Sequence, residues 1–439
     1  MVGGSPVRGK VGNTVLDNIT KFNFRGRVYV VNPKYSEVLG FKSYQCLREL
    51  PEKPDVVVIA VPANAAVDVI REAAELKVKL AIVMSSGFSE VGRLDLQASL
   101  EDIVKNTDIR VIGPNSAGIT LSRHSLHASI EVIPTEGSIG IIAQSGAVGG
   151  VVISELRKYS SGVSFFISLG NCLDISVEEV LEYGSEDDRT SAVVLYLEWL
   201  RNGREFIKNS LKLLKVGKPL CVLKGGVGEC SSEAVRSHTG GLAPNFEVFK
   251  TAVSKVGGYL ATDILEAVEV CELSRRLKQL IPSRVLIVTN SGGLGVLTAS
   301  SLELHGFKLP KPPYELINAS RDLSLKVSLA NPIDLGGDSR IEDLTTLLTL
   351  DMLRKYYDVA VLAYVPTAAE PPEEIARVVG SQSKGFSLPV IGYFAGEGAV
   401  DIITKVSRDL PVSSSSWFLG KALSFIREFN LRRESHESL

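Results

Sequence analysis

Short apolar runs alternate with amphipathic stretches along most of the chain. The runs are rich in Val, Ile and Leu, which is typical of strands buried on both faces of a parallel sheet. They predict strands at 27–31, 55–60, 79–84, 109–112, 138–143, 163–168, 191–197, 219–223, 284–289, 359–364 and 390–394. The amphipathic stretches predict helices at 13–22, 65–76, 176–183, 205–214, 245–256 and 417–429, with others ending near 157 and 305. This alternation indicates an α/β protein with doubly wound parallel sheets, which bind ligands at the carboxyl ends of their strands.

Length and composition place this pattern in a multidomain globular protein. The chain has 439 residues, 45% of them apolar and 22% charged. At roughly 150 residues per domain, this length predicts about three domains, which we assign to 1–123, 124–280 and 281–439. The net charge of −2 provides no general field for nucleic acid or membrane lipid, so any anion site must be local.

Several classes of protein fit the sequence poorly. No apolar run approaches the roughly 18 residues that span a bilayer, and the N-terminus lacks the pattern of a secretion signal. The five cysteines are odd in number and form no CxxC pair. We therefore expect a cytoplasmic protein with reduced thiols and no metal site of its own.

One histidine within a run of small residues is a candidate for chemistry. His238 lies in Ser237-His238-Thr239-Gly240, which we predict to be a turn between a strand and a helix. A neutral imidazole can attack phosphorus and hold the phosphoryl group covalently, so activity should fall at acid pH. The flanking hydroxyl and N–H groups could surround a phosphate. A lone histidine is more often a surface or core residue, so other parts of the chain must support this interpretation.

The strand at 138–143 supplies a candidate phosphate site. It runs into Gln144-Ser145-Gly146-Ala147 and then into a helix. Free N–H groups at Gly146 and Ala147, with the Ser145 hydroxyl, could hold an anion at the helix N-terminus. The alternative is a packing turn, in which the glycines allow close contact between helix and sheet.

The strand at 191–197 ends in a carboxylate, Glu198. A carboxylate in such a position requires a partner, since burial of an unpaired charge is costly. We assign Glu198 to one ring nitrogen of His238, which would leave the other nitrogen free to attack. An ion pair with Arg201 or Arg204 is the alternative.

The first segment opens with a glycine-rich loop, Val2-Gly3-Gly4-Ser5 with Gly9-Lys10-Val11-Gly12, that leads into a helix. Such a loop can bind phosphate through backbone N–H groups. An apolar strand normally precedes it, but only Met1 and Val2 do so here. Either the natural start lies upstream, which we favour, or the sheet lacks that strand and exposes the edges of its neighbours.

Further strand-end motifs follow that loop: Val31-Asn32-Pro33-Lys34-Tyr35, Val61-Pro62-Ala63, Ser86-Gly87-Phe88 and Gly113-Pro114-Asn115. With the glycine loop, they resemble the CoA-binding domain of NDP-forming acyl-CoA synthetases, which are relatives of succinyl-CoA synthetase. The resemblance places the following residues at CoA: Gly4, Ser5, Arg8, Gly9, Lys10, Asn32, Pro33, Lys34, Val61, Pro62, Ser85, Ser86, Gly87 and Asn115.

The second segment resembles the phosphohistidine domain of the same synthetases. The resemblance rests on 144–147, 169–171, 196–198, 224–226 and 237–242. It implies that His238 is phosphorylated, that Glu198 supports it, and that the phosphate contacts Gln144, Ser145, Gly146, Ala147, Ser237, Thr239 and Gly240. Two positions depart from the family pattern: Trp199, where glycine is common, and Ala243-Pro244-Asn245, which replaces a run of small residues.

The resemblance covers nearly the whole chain and implies its architecture and reaction. The expected fold is a Rossmann-like CoA-binding domain followed by two flavodoxin-like parallel-sheet domains, the last matching at 289–295 and 331–335. The expected reaction converts acyl-CoA, phosphate and ADP to acid, CoA and ATP through an acyl phosphate and phosphorylated His238. No segment resembles an ATP-grasp domain, so a separate β subunit should supply ADP/ATP and Mg²⁺ binding, in an expected α2β2 assembly.

Two alternatives remain at this stage. A non-catalytic CoA-binding or acyl-CoA-sensing protein is suggested by Trp199 and the abbreviated N-terminus. An NAD-dependent dehydrogenase is less consistent with the sequence, because Asn32-Pro33-Lys34 holds no acidic residue for a ribose hydroxyl.

Overall fold

A computed structural model describes the backbone of residues 1–239, 245–322, 330–396 and 398–437, and the side chains of 1–235, 245–320, 330–396 and 398–435. The chain forms two compact units, one of residues 1–154 with 162–264 and the other of residues 155–161 with 265–439. The assignment of three domains from the sequence stays a prediction.

The described strands are β1 (Val30–Val31), β2 (Glu37–Val38), β3 (Phe41–Tyr44), β4 (Val56–Ile59), β5 (Leu80–Val83), β6 (Arg110–Ile112), β7 (Gly118–Leu121), β8 (Leu126–Ser129), β9 (Glu136–Ala143), β10 (Val163–Ser168), β11 (Ala192–Leu197), β12 (Leu220–Lys224), β13 (Tyr259–Ala261), β14 (Val285–Thr289), β15 (Ile333–Asp334), β16 (Val359–Tyr364), β17 (Val390–Phe394) and β18 (Val412–Ser413). The described α-helices are α1 (Val11–Lys21), α2 (Ala63–Glu75), α3 (Leu94–Asn106), α4 (Gly146–Lys158), α5 (Val177–Glu186), α6 (Gly203–Lys215), α7 (Glu229–Thr239), α8 (Phe246–Lys255), α9 (Ile264–Arg276), α10 (Gly292–Leu304), α11 (Tyr314–Asp322), α12 (Ile341–Leu348), α13 (Leu353–Tyr356), α14 (Pro372–Gln382), α15 (Ala399–Val406) and α16 (Ser416–Glu437).

The first sheet of the larger unit is joined at its centre by a single residue. Strands β4, β5 and β6 pair in parallel, and β1 pairs in parallel with β3, which forms a hairpin with β2. Val2 lies between the two groups and pairs in parallel with both Val31 and Ile59. The less favoured alternative, a sheet whose neighbouring edges are exposed, does not hold at this point, because Val2 donates to the Val58 carbonyl and accepts from the Ala60 N–H.

The second sheet of this unit has seven strands in the order β13-β12-β11-β9-β10-β7-β8. All pairings are parallel except those of β7, which runs antiparallel to both β10 and β8. Two reversals restore the direction, so β8 runs the same way as β10. The carboxyl ends of β8, β9, β10, β11 and β12 therefore share one edge of the sheet.

The smaller unit contains a parallel sheet of five strands in the order β15-β14-β16-β17-β18. Strand β16 is buried along its whole length, as its uninterrupted apolar run predicts. His305 lies at the C-cap of α10, and Gly306 follows with a left-handed φ of 78°, which confirms the helix end expected there. In the part of the chain that the structure describes, no helix combines the length and apolar character needed to cross a membrane.

Helix α7, which contains the candidate residue His238, was not predicted from the sequence. Residues 229–239 form α7, whereas we expected the histidine-bearing stretch to be a turn. The prediction was wrong because it rested on Gly240 and Gly241, which follow this segment in the sequence. The segment from Glu229 to Thr239 itself contains neither glycine nor proline to interrupt a helix.

Candidate active site

The glycine-rich loop passes beneath the start of α1 at very close range. A Cβ at Gly12 would overlap the carbonyl oxygen of Gly3, so the helix can approach the loop only because Gly12 has no side chain. Lys10 is the N-cap of α1 and makes no side-chain capping bond. The first turn of α1 therefore has no side-chain cap and could accept an anionic ligand.

Asn32 ties this loop to the loop after β1. Its side-chain N–H donates to the Gly4 carbonyl at 2.7 Å, and its Oδ1 accepts from the Lys34 N–H at 3.0 Å. The structure thus brings two of the expected CoA loops into direct contact through a side chain whose own polar groups are satisfied.

The next two strand ends are joined in a similar way. The Ser85 hydroxyl donates to the Val61 carbonyl at 2.5 Å, and the Asn115 N–H donates to the Ser85 carbonyl at 2.9 Å. Ser85 is buried, while Ser86 beside it is exposed. Ser85 therefore stabilises the edge, and Ser86 is the more accessible of the two for a ligand.

The predicted site residues differ in their exposure. The exposed ones are Arg8, Gly9, Lys10, Pro33, Lys34, Pro62, Ser86 and Ala147. The partly exposed ones are Ser5, Asn32, Val61, Gly87, Asn115, Ser145 and Gly146. The buried ones are Gly4, Ser85, Gln144 and Glu198.

The sequence did not predict the contact that links the two sheets of this unit. Glu90 accepts from the N–H groups of Gly87 and Phe88, and from the Asn171 side chain at 2.6 Å. Burial acts to raise the pKa of Glu90, but the bonds from Asn171 and the backbone outweigh it, so the pKa is lowered. An acidic residue two positions after Phe88 was the available signal.

The turn that carries Asn171 packs against the Gly113-Pro114-Asn115 turn. Gly170 has a left-handed φ of 54°, and a Cβ there would overlap the Pro114 carbonyl oxygen. The Asn171 N–H donates to that same carbonyl at 2.9 Å. The strand-end loops of the two sheets, expected at CoA and at phosphate respectively, therefore meet at this point.

Gln144 holds the end of β11. Its Oε1 accepts from the N–H groups of Glu198 and Trp199, at 2.5 and 3.0 Å, and its amide N–H donates to the Trp199 carbonyl at 2.9 Å. The amide thus orients the backbone on both sides of Glu198. A direct contact of Gln144 with phosphate stays a prediction, as does any effect of Trp199 on the pocket.

Polar side chains contact Glu198, the residue that follows β11. The Tyr196 hydroxyl donates to the Glu198 carboxylate at 3.1 Å, and the Lys224 ammonium donates to the Glu198 carbonyl at 2.7 Å. Burial lowers the pKa of Lys224 to about 8, although the charge of Glu198 acts in the opposite direction. The guanidinium of Arg201, one of the two alternative partners expected for Glu198, donates to the backbone carbonyls of Cys172, Leu173 and Asp174.

Helix α4 begins at the same edge, directly after β9. Gly146 packs closely enough on Ala117 that a Cβ there would overlap the alanine methyl, which supports the packing role for this glycine. Ala147, by contrast, is exposed. The turn thus serves close packing and also presents a helix N-terminus at the edge that carries Glu198 and Lys224.

The predicted nucleophile can be placed only in part. The backbone of His238 lies in the last turn of α7, together with that of Ser237 and Thr239, and their side chains lie outside the described residues. Gly240 lies outside the described residues altogether, as do Ala243 and Pro244. Asn245 is the N-cap of α8 and accepts from the N–H groups of Glu247 and Val248.

Replacement of Gln144 by leucine should destabilise the larger unit. Leucine fills a similar volume but leaves the buried N–H of Glu198, and the partly buried N–H and carbonyl of Trp199, without these partners. We expect the unfolding free energy to fall by about 3 kcal/mol, since an unsatisfied buried group costs roughly 1–3 kcal/mol. Calorimetry measures the change, with Gln45→Leu at an exposed position as the control. Equal melting temperatures of Gln144→Leu and the unsubstituted chain would contradict the assigned role.

Two family models match within residues 1–274 of the chain. The model described as a CoA binding domain matches residues 1–122, and the model described as a succinyl-CoA ligase-like flavodoxin domain matches residues 136–274. Both matches agree with the fold class expected from the sequence.

Individual relatives extend the match to most of the chain. The α subunit of ADP-forming acetate–CoA ligase II from Pyrococcus furiosus is 32% identical over 405 residues, which cover 90% of this chain and 87% of the relative. An ADP-forming acetate–CoA ligase from Methanocaldococcus jannaschii is 35% identical over 344 residues, which cover 78% of this chain and 48% of the relative. The chain thus spans about half the length of the latter, and 54% of a related ligase from Archaeoglobus fulgidus.

A solved structure matches along the entire chain. The dinucleotide-forming acetyl-coenzyme A synthetase 1 from Ca. Korarchaeum cryptofilum, determined with phosphate and ADP, superposes with a TM-score of 0.89 at 28% identity. The match covers 100% of this chain and 96% of the solved chain. On these grounds, the chain belongs to the family of ADP-forming acetate–CoA ligases and corresponds over nearly all its length to their α subunit.

Proposed function

We propose that the chain is the α subunit of an ADP-forming acyl-CoA synthetase. The reaction converts acyl-CoA, phosphate and ADP to acid, CoA and ATP, and it is reversible. One structural observation carries the proposal: Asn171 and Glu90 connect the loops expected at CoA to the sheet edge expected at phosphate. A thioester held by the first set of loops would therefore lie close to a phosphate at the second.

The CoA part of the site uses backbone groups more than side chains. In this proposal, the uncapped first turn of α1 and the exposed Lys34 hold the CoA phosphates. Arg8 and Lys10, which directly precede α1 in sequence, add positive charge there. Ser86 and Gly87 lie along the remaining part of the CoA molecule. Asn32 and Ser85 keep these loops in register, because their polar groups bond to the loop backbone.

Two transfers then take place at the edge of the seven-stranded sheet. A phosphate oxygen attacks the thioester carbonyl carbon and the carbon–sulfur bond breaks. CoA departs, and an acyl phosphate remains in the site. An imidazole nitrogen of His238 attacks the phosphorus of that intermediate, and the carboxylate of the acid leaves. The first turn of α4 stabilises the phosphate charge, and Glu198 stabilises the positive charge on the phosphorylated ring.

The last transfer, to ADP, is assigned to a partner. We assign ADP binding and the Mg²⁺ ligands to an ATP-grasp β subunit, in an α2β2 assembly. The name of the P. furiosus relative as a subunit supports a partner of this kind. Among the described side chains, no group of three or more His, Cys, Asp or Glu is arranged to hold a metal ion. A cytosolic location fits the five cysteines, all of which are free thiols.

The reaction can be tested with the chain co-expressed with a candidate ATP-grasp subunit. ATP formation is followed with acetyl-CoA, phosphate and ADP, and then with branched-chain and aryl acyl-CoAs. ATP formation that requires both subunits supports the proposal and identifies the acyl group. CoA binding without ATP formation from any of these substrates would overturn it and favour a non-catalytic CoA-binding protein.

The CoA site gives a separate prediction. Lys34→Ala should weaken CoA binding about tenfold, equivalent to ~1.4 kcal/mol, because one charge-assisted bond to a phosphate is lost. Isothermal titration measures the affinity. Lys21→Ala is the matched control, since Lys21 is equally cationic but lies at the opposite end of α1. If the two variants bind CoA equally well, Lys34 does not contact the ligand.

A further inference from the structure

Glu131 is an acidic residue that neither the sequence motifs nor the proposed steps use. It lies two residues after β8, which ends at the edge shared with β9 through β12. Its N–H donates to the Ser129 hydroxyl at 3.0 Å, and the preceding Ile130 N–H donates to the Ala117 carbonyl at 3.1 Å. These bonds place Glu131 at the edge that also carries Glu198.

The carboxylate of Glu131 lies against the first turn of α4. Its Oε1 is 3.4 Å from the position that a Cβ of Gly146 would occupy. Its Oε2 would overlap a Cβ at Gly150, one turn further along the same helix face. Two glycines at positions i and i+4 thus form a recess that the carboxylate fills, beside the helix N-terminus proposed to bind phosphate.

The surroundings of Glu131 leave its carboxylate available for proton exchange with a ligand. Glu131 is partly buried, yet among the described residues neither of its oxygens has a hydrogen-bond partner. Glu90 and Glu198, which lie in the same unit, both accept hydrogen bonds. Burial also raises the pKa of Glu131, so its carboxyl group can exchange a proton more readily near neutral pH than an exposed glutamate.

We propose that Glu131 is a catalytic residue that carries the proton in the exchange between thioester and acyl phosphate; this inference rests on the proposed function. Hydrogen phosphate attacks the thioester carbonyl carbon, and its proton passes to the Glu131 carboxylate as the new carbon–oxygen bond forms. The carbon–sulfur bond then breaks, and the departing thiolate takes that proton from Glu131. Glu131 ends as a carboxylate, and the products are acyl phosphate and CoA thiol.

The test compares two ways of phosphorylating the enzyme, with the complex of this chain and its ATP-grasp partner. The first uses acetyl-CoA with radiolabelled phosphate and requires the proton transfer. The second uses labelled acetyl phosphate and bypasses it. For Glu131→Gln, we expect the first rate to fall about 100-fold, the lower part of the range for general acid–base catalysis, and the second to change less than about twofold.

Three further variants complete the test. Glu136→Gln, at the opposite edge of the same sheet and exposed, is the control and should leave both rates unchanged. Gly150→Ala places a methyl group where Glu131 Oε2 lies, so it should slow the first rate only. Glu131→Asp should recover part of the first rate, because it keeps a carboxyl group on a shorter side chain.

Each outcome leads to a definite conclusion. Equal slowing of both rates in Glu131→Gln, or no slowing of the first, would overturn the role of Glu131. Absence of phosphorylation by either donor in the unsubstituted complex would instead refute the proposed function itself.

Discussion

Replacement of His238 by alanine abolishes the phosphoryl adduct and reduces ATP formation by at least about 10⁴-fold, the scale on which loss of a nucleophile acts in a covalent mechanism. The reason is that no other group in this mechanism accepts the phosphoryl group from the acyl phosphate. Intact-mass measurement of the complex, after incubation with acetyl-CoA and phosphate, detects one acid-labile phosphoryl group on the unsubstituted chain.

His124→Ala is the matched control for this experiment. His124 is exposed, lies in the same unit and is remote in sequence from α7, so its removal should leave the adduct intact. An adduct that persists in His238→Ala would show that another residue carries the phosphoryl group. If neither His238→Ala nor His124→Ala carries the adduct, the complex has failed to assemble. Size-exclusion chromatography of the complex detects such a failure.

Glu198→Gln should slow phosphorylation of His238 on the order of 10³-fold, within the range for loss of an acid–base partner. The amide keeps the shape of the side chain, and Tyr196 can still donate to its oxygen, but the negative charge that favours a cationic ring is lost. Burial raises the pKa of Tyr196, and the charge of Glu198 contributes to that shift. The tyrosine therefore stays a neutral donor in either variant.

The two phosphorylation assays distinguish Glu198 from Glu131. Glu198→Gln should be slow with acetyl-CoA and equally slow with acetyl phosphate, because both routes pass through the histidine. Glu205→Gln serves as the control, since Glu205 is partly exposed and pairs with Lys208 on α6. Wild-type rates with acetyl phosphate in Glu198→Gln would show that Glu198 acts elsewhere than at the imidazole.

The fold was predictable where apolar runs are long. Strands such as β10 and β16 are buried along their whole length, and apolar residues at four of the six positions of β10 and at all six of β16 identify them without reference to partners. Elements with few buried residues were not predicted. The hairpin of β2 and β3 contains only one fully buried residue in each strand, and α3 buries only Leu100 fully, so neither has a clear apolar pattern.

The site was predictable to the level of strand ends. Glu198 and the Gln144-Ser145-Gly146-Ala147 turn follow buried strands of one parallel sheet, and the topology places them at the same edge. The partners of each side chain were not predictable. The amide of Gln144 bonds to the backbone of 198–199, a strand end more than fifty residues away in sequence, and no local pattern indicates that pairing.

By itself, the sequence determined the class of fold, the family and the strand ends at which we propose the chemistry, because these depend on local patterns of apolar residues, glycines and short motifs. The tertiary structure alone decided which polar groups meet: Asn171 with Glu90, Gln144 with the end of β11, and Glu131 with the glycines of α4. The physical reason is that a hydrogen bond or a close glycine contact depends on positions within a few tenths of an ångström. Such positions are set only when strands distant in sequence take their neighbours in the sheet.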